Sequence, residues 1–296
     1  MRKLRSTSIL LGLFVMAMVL ASCTVAPKGT LDLSIVGLPA GVTASIEVTG
    51  ADGYSATVTS DTSLSVAPGT YAIAPAPAED LPAIYRAADA SATVVADATA
   101  TVTVTYERPS VLFFADDFST GGDNVNPALE ANGFDVTFTS SAATFDTEVG
   151  GSTYDLAIAM TQDVGIAIDL PTLTTYVDAG GRAIGADWNR TAGFATIFDA
   201  TYTGATNPAT ADVSVAALSQ GIVNPIVLDD SDWGIYATGL ATDGASVSLC
   251  TFDNDESCLV SGNDGRTALL GFMTGTVPED DEQAFWENLT LFVLGY

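Results

Sequence analysis

Histidine is absent from this chain of 296 residues. Its absence removes imidazole acid–base chemistry, Ser-His-Asp and Cys-His arrangements, and nearly every common zinc or iron site. Basic side chains are scarce too: nine Lys and Arg stand against 36 Asp and Glu, a formal net charge of −27. Nucleic acid is an unsuitable partner for such a chain, because phosphate binding rests on clustered Lys and Arg. The acids are scattered rather than blocked, which reads as a solubilising surface suited to a salty medium that screens self-repulsion. An acidic face for cations or a basic partner is the alternative reading.

Long apolar runs are confined to one place. After Arg2, Lys3 and Arg5, residues Ile9 to Ala21 are apolar apart from one glycine. That is the charged and apolar layout of a secretory signal, too short for a comfortable membrane span. The run ends in Leu20-Ala21-Ser22-Cys23, which resembles the lipobox of bacterial lipoproteins. The resemblance implies cleavage after residue 22, palmitate-type acylation of Cys23, and a tether over residues 23–29. Each buried methylene contributes about 0.8 kcal/mol, so two or more chains hold a protein stably. The expected address is an exported, membrane-anchored lipoprotein, on the periplasmic face or the cell surface. Removing the leader leaves six basic side chains against 36 acidic ones.

Two cysteines remain, Cys250 and Cys258, in an exported and oxidising setting. A disulfide closing this short hairpin is the expected arrangement.

Residues 30–107 alternate apolar and polar positions, as in Leu31-Asp32-Leu33-Ser34-Ile35 and Thr101-Val102-Thr103-Val104. Turn signals such as Pro39-Ala40-Gly41 and Pro68-Gly69 divide them, so the spacing predicts a small all-β sandwich. Val66-Ala67-Pro68-Gly69-Thr70-Tyr71 resembles the immunoglobulin-like and carboxypeptidase-regulatory-like modules of bacterial surface proteins, which implies a spacer or a binding module.

Rhythm changes at Arg108-Pro109. Strands are expected at 110–115, 134–139, 154–160 and 182–186, with helices at 125–131 and 170–178. This alternation predicts an α/β domain over 108–296 with a doubly wound, mostly parallel sheet. Its Phe113-Phe114-Ala115-Asp116-Asp117, Tyr154-Asp155-Leu156-Ala157-Ile158, Val177-Asp178-Ala179-Gly180-Gly181-Arg182, Gly265 to Phe272 and Phe285-Trp286-Glu287-Asn288 segments resemble the class I glutamine amidotransferase-like superfamily, of flavodoxin-like layout, and its trehalose-utilisation-like branches. The resemblance implies a nucleophilic cysteine in the turn after strand 182–186. This chain has Asp187-Trp188-Asn189-Arg190 there, and no histidine partner anywhere. Glutamine amidase activity is therefore not expected.

Sites remain at the carboxyl ends of the strands, where open α/β sheets bind ligands. Asp116 and Asp117, with Asp163 and Asp187, either form an acidic cluster for a general base or a metal, or bind loop amides. Asp187, Trp188, Asn189 and Arg190 form the candidate ligand platform, with Trp188 and Arg190 suited to a sugar or an anion, or else Trp188 packs under a loop. Asp253 to Glu256 invite calcium, but without the spacing of an EF-hand, and a solvated hairpin tip is the alternative. Glu279 to Glu282 suit a helix start, and Phe285, Trp286, Leu289, Phe292 and Val293 recur at helical spacing as core. The functional expectation is a non-catalytic surface lipoprotein that binds a carbohydrate or protein partner. Its alternatives are a carboxylate-dependent hydrolase acting on a sugar or envelope substrate, and a structural envelope component.

Overall fold

The computed structural model describes residues 27–80, 83–116, 124–151, 154–162, 168–229 and 236–296. Cys23, Asp117 and Asp163 lie outside these residues. The chain forms two compact units, one running to Ala78 and resuming over Arg86–Glu107, the other comprising Glu79–Tyr85 and Arg108–Tyr296. Among the described residues, no helix is long and apolar enough to cross a membrane.

Among its described residues the first unit is built from strands, with a 3-10 turn at Ala51–Gly53. Its chain order is β1 (Gly29–Val36), β2 (Ile46–Thr49), β3 (Ser55–Val58), β4 (Thr62–Val66) and β5 (Gly69–Pro75). The chain then leaves this unit for the pair β6 (Ala78–Asp80) and β7 (Ala83–Tyr85), which falls with the second unit apart from Ala78, and returns for β8 (Ala90–Val94) and β9 (Thr99–Thr105). One sheet has the order β4-β1-β9 and the other β3-β2-β5-β8. Alternation sends Leu31, Leu33, Ile46, Val48, Tyr71, Ile73 and Val104 inward while their neighbours stay wet. Tyr71, after the Pro68-Gly69 turn, is fully buried and its hydroxyl donates to the Ala67 carbonyl at 2.8 Å. A buried tyrosine needs such a partner.

The second unit is mixed α/β. Its elements are β10 (Ser110–Ala115), α1 (Val125–Ala131), β11 (Asp135–Thr139), α2 (Ala142–Gly150), β12 (Leu156–Thr161), α3 (Leu170–Asp178), β13 (Ala183–Asp187) and α4 (Ala192–Ile197). There follow β14 (Ala200–Thr206), β15 (Thr210–Val213), β16 (Ile226–Val227), β17 (Ala237–Thr242), β18 (Val247–Phe252), β19 (Ser257–Gly262), β20 (Thr267–Leu270) and α5 (Glu279–Leu294). The sheet runs β11-β10-β12-β13-β20-β19-β18-β15-β16, with β14 and β17 off that path. From β11 to β20 the neighbours are parallel, and beyond β20 they are antiparallel. The antiparallel extension is one insertion, β14 to β19, between two adjacent parallel strands.

Strand β10 shows why these residues fold this way. Val111, Phe113 and Ala115 join a core with Val125, Leu129, Phe285, Trp286 and Leu289, from α1 and α5. Leu112 and Phe114 face the other way, into a core with Phe145, Leu173, Val177 and Phe194, from α2, α3 and α4. A continuous apolar run is what a strand covered on both faces requires. Gly185 in β13 leaves room for the α4 aromatics, since a Cβ there would stand 2.4 Å from the Phe198 ring.

Arginines finish two helix ends. Arg266 donates to the Val177 and Gly181 carbonyls after α3, at 2.9 and 3.0 Å, and Arg182 donates to the Val293 carbonyl of α5. A cation at a helix C-terminus satisfies orphan carbonyls and complements the dipole. At the start of α5, Glu279 to Glu282 occupy the first turn, and Glu282 is buried, accepting from the Asn124 side chain. Phe285, Trp286, Leu289 and Val293 are fully buried, whereas Phe292, expected in the core, is half-buried and Leu294 takes the buried place.

The bridge expected between Cys250 and Cys258 is not formed: both are buried free cysteines. The β18–β19 ladder pairs Cys250 with Leu259, not Cys258, across an irregularity. Burial, and then the adjacent Cys250 thiol, push the Cys258 thiol well up. Such a thiol is a poor nucleophile.

Candidate functional site

Strands β10, β12, β13 and β20 deliver their carboxyl ends to one edge of the parallel sheet. Each end is tied to its neighbour by the backbone. The Asp116 amide donates to the Met160 carbonyl at 3.3 Å, the Trp188 amide to the Thr161 carbonyl at 3.1 Å, and the Thr238 amide to the Gly271 carbonyl at 2.6 Å. Gly271 permits that last approach, because a Cβ there would lie 2.5 Å from the Thr238 carbonyl oxygen.

The two described aspartates of the expected acidic cluster are employed by the loops. Asp116 accepts from the Gln162 amide at 2.6 Å, pinning β10 to β12. Asp187 is 4% exposed and carries more. Its Oδ1 accepts from the Asn189 amide at 2.8 Å and the Thr161 hydroxyl at 3.2 Å, and its Oδ2 accepts from the Thr191 amide at 2.6 Å. The carboxylate thereby shapes the turn from β13 into α4, whose N-cap is Thr191. Of the two sequence readings for these acids, geometry favours the loop-amide role. Among the described residues, no three Asp, Glu or Cys side chains gather as a metal site. The turn considered for calcium is internally bonded: Asp253 accepts from the Ala209 amide, and Glu256 accepts from the Thr203 hydroxyl and the Asn254 side chain.

Beside Asp187 opens a small, solvent-facing cleft, lined by Gln162, Ala186, Asp187, Trp188, Arg190, Tyr236, Ala237, Thr238 and Leu270 to Met273. Asp187, Trp188 and Arg190 of the expected platform line it. Asp116 does not, and neither does Asn189. Trp188 is half-buried and packs against the α1–α5 core, so its indole is both anchored and reachable. Arg190 is exposed and holds a positive φ of 55°, in a turn that Asp187 fixes from both sides. Non-glycine residues adopt that conformation only where the surroundings impose it, at a cost of about 1–3 kcal/mol.

Sequence reasoning missed Gln162, Tyr236 and Tyr202. Gln162 follows the β12 strand end, a position that could have marked it. The Tyr236 hydroxyl donates to the Pro208 carbonyl, so Tyr236 forms a fixed wall. Tyr202, on β14, sits beside Asp187 with a buried hydroxyl that makes no ordinary hydrogen bond; burial first, then the charge of Asp187, push its pKa far up. Nothing in the sequence around Tyr202 announces that neighbour, since β14 reaches β13 only through the folded sheet.

No protein-family model matches the chain, and no curated protein does. Solved structures are similar to it at low identity. A ThuA-like protein from Bacteroides uniformis is 8% identical, covering 62% of this chain and 90% of its own, with a TM-score of 0.44. A glutamine amidotransferase from Thermotoga maritima is 7% identical, covering 64% and 99%, with a TM-score of 0.47. A GMP synthase protein from Thermoplasma acidophilum is 12% identical, covering 63% and 95%, with a TM-score of 0.45. These are likenesses of fold, and they carry no argument about activity.

Proposed function

We propose that the chain is an exported lipoprotein, tethered through lipid on Cys23, that binds a ligand without turning it over. In this reading an immunoglobulin-like sandwich is the spacer, and a doubly wound, amidotransferase-like domain is the binding module.

One observation carries the non-catalytic part. Asp187 opens the turn, Asp187 to Arg190, in which the amidotransferase resemblance places the nucleophile, and its oxygens are committed to the Asn189 and Thr191 amides and the Thr161 hydroxyl. A carboxylate so bonded serves the turn, while the cleft beside it is open. The total absence of histidine supports the same reading. A two-carboxylate hydrolase would need a second acid facing Asp187 across the cleft. Asp116 does not line that space.

The test has two arms. The full chain is expressed in a bacterium that processes lipoproteins, and Cys23→Ser is expected to abolish acylation and release from the leader; normal acylation of that variant would refute the tether. The purified protein is then screened against ester, glycoside and amide substrates. Turnover that disappears in Asp116→Asn or Asp187→Asn, with the fold intact, would refute the non-catalytic reading.

A further inference from the structure

We propose that the cleft beside Asp187 selects small organic carboxylates, pairing the carboxylate with Arg190 and using the Gln162 carboxamide and the Trp188 indole N–H as further donors. The proposal rests on the cleft being the ligand site and specifies what that ligand is.

The first support is a side chain with nothing to bond. Gln162 is 94% buried, 6% of it being exposed, and it lines the cleft. Its backbone amide donates to Asp116, but its carboxamide has no partner among the described residues. With no protein partner there, the carboxamide is available to a group that enters the cleft.

The second support is the character of the neighbouring groups. Arg182 and Arg266 are consumed by helix-end carbonyls, but the Arg190 guanidinium has no hydrogen bond or ion pair among the described residues. The Trp188 indole N–H is also without a partner there. Of these three side chains, Arg190 offers five donors, Trp188 one and Gln162 two, against one carboxamide acceptor, while the Asp187 carboxylate in the same wall is committed to the turn amides and the Thr161 hydroxyl. Such a wall wants a ligand rich in acceptors.

Charge and size narrow the class. A planar guanidinium matches a carboxylate with two parallel hydrogen bonds. A dianionic phosphate fits less well than a monoanionic carboxylate: one cation cannot neutralise it, and the turn amides of Asn189 and Thr191 are already taken by Asp187. The cleft is small and opens to solvent, so it suits one ring or a short acid lying against the indole rather than a large enclosed ligand. The indole of Trp188 offers it an apolar face.

The experiment uses the full chain, purified in detergent and labelled with 15N-tryptophan. The three indole signals are assigned with Trp188→Phe, and the fully buried Trp286 reports on the fold. Acetate, benzoate and D-glucuronate are titrated beside acetamide, benzamide, D-glucose and inorganic phosphate. At least one carboxylate is expected to shift the Trp188 signal saturably, at about millimolar affinity for ligands so small. Arg190→Gln should weaken that binding at least tenfold with the Trp286 signal unmoved, and Arg190→Lys should fall between. If the neutral partners shift Trp188 as strongly and Arg190→Gln is indifferent, the carboxylate preference is wrong while the cleft remains a binding site. Phosphate binding tighter than the carboxylates overturns the preference in the same way. No shift from any probe overturns both.

Discussion

Replacing Asp187 separates a structural carboxylate from a catalytic one. In Asp187→Ala, the Asn189 and Thr191 amides lose acceptors at 2.8 and 2.6 Å, and the Thr161 hydroxyl loses one at 3.2 Å. Hydrogen bonds to a charged group contribute about 1.5–3 kcal/mol, and the site is too buried for water to replace both amide contacts fully. The expected loss is therefore about 3–5 kcal/mol. Asp187→Asn keeps one oxygen, which can still serve Asn189 and Thr161. It turns an NH2 group toward the Thr191 amide, so about 1.5–3 kcal/mol should be lost. Urea unfolding, followed by circular dichroism and by tryptophan fluorescence, reads both values. At a slope of about 3 kcal/mol/M, the alanine variant should lower the midpoint of the second unit's transition by roughly 1 M without changing the slope. An alanine variant within about 0.5 kcal/mol of the parent would refute the reasoning and leave the carboxylate available for chemistry.

Three other outcomes are expected. Arg190→Gly relieves the positive φ, worth about 1–2 kcal/mol, against a glycine entropy cost of about 0.5–1 kcal/mol; denaturation should show a protein as stable as the parent or up to about 1 kcal/mol more so, and a loss of more than 1 kcal/mol would contradict the strain. Stability should be insensitive to pH where histidine normally titrates. It should then fall as pH rises above 10, because burial raises Tyr176 to about 12 and its protonated form is the one that fits; up to about 2.7 kcal/mol is lost between the two values. A Tyr176→Phe variant with an unchanged alkaline limb in its pH–stability curve would argue against that source. Cys250 and Cys258 should resist alkylation in the folded protein and react after unfolding in denaturant, and a bridged pair found by mass spectrometry would contradict the free-thiol ladder.

The frame of the second unit was legible because its strands are apolar on both faces. Ser110–Ala115, Val125–Ala131 and Leu170–Asp178 occur at the bounds their sequence implies. Helix α2 was missed, since its Ala, Thr and Gly content is uninformative and only Phe145 and Val149 are buried. The Ser141 side chain, accepting from the Thr144 amide, was its one readable signal. Within the β14–β19 insertion only the hairpin around Cys250 and Cys258 was legible, as β18 and β19; the rest was hidden because its strands pair across long separations, as β15 does with β18, and register of that kind has no local signature. Asp187, Trp188 and Arg190, which line the cleft, were marked in the sequence by their position after a strand. Gln162 was not, because its meaning lies in having no partner, which only the folded neighbourhood defines.

Glu79–Tyr85 belongs to the second unit although the strands on either side of it belong to the first. Ala83 lies where Gly133 has no side chain, and a Cβ at Gly133 would stand 2.6 Å from that of Ala83. The gene therefore cannot be divided into two contiguous cassettes. A fragment of residues 108–296 alone would leave part of that unit behind, and any single cut that keeps the second unit whole carries part of the first with it.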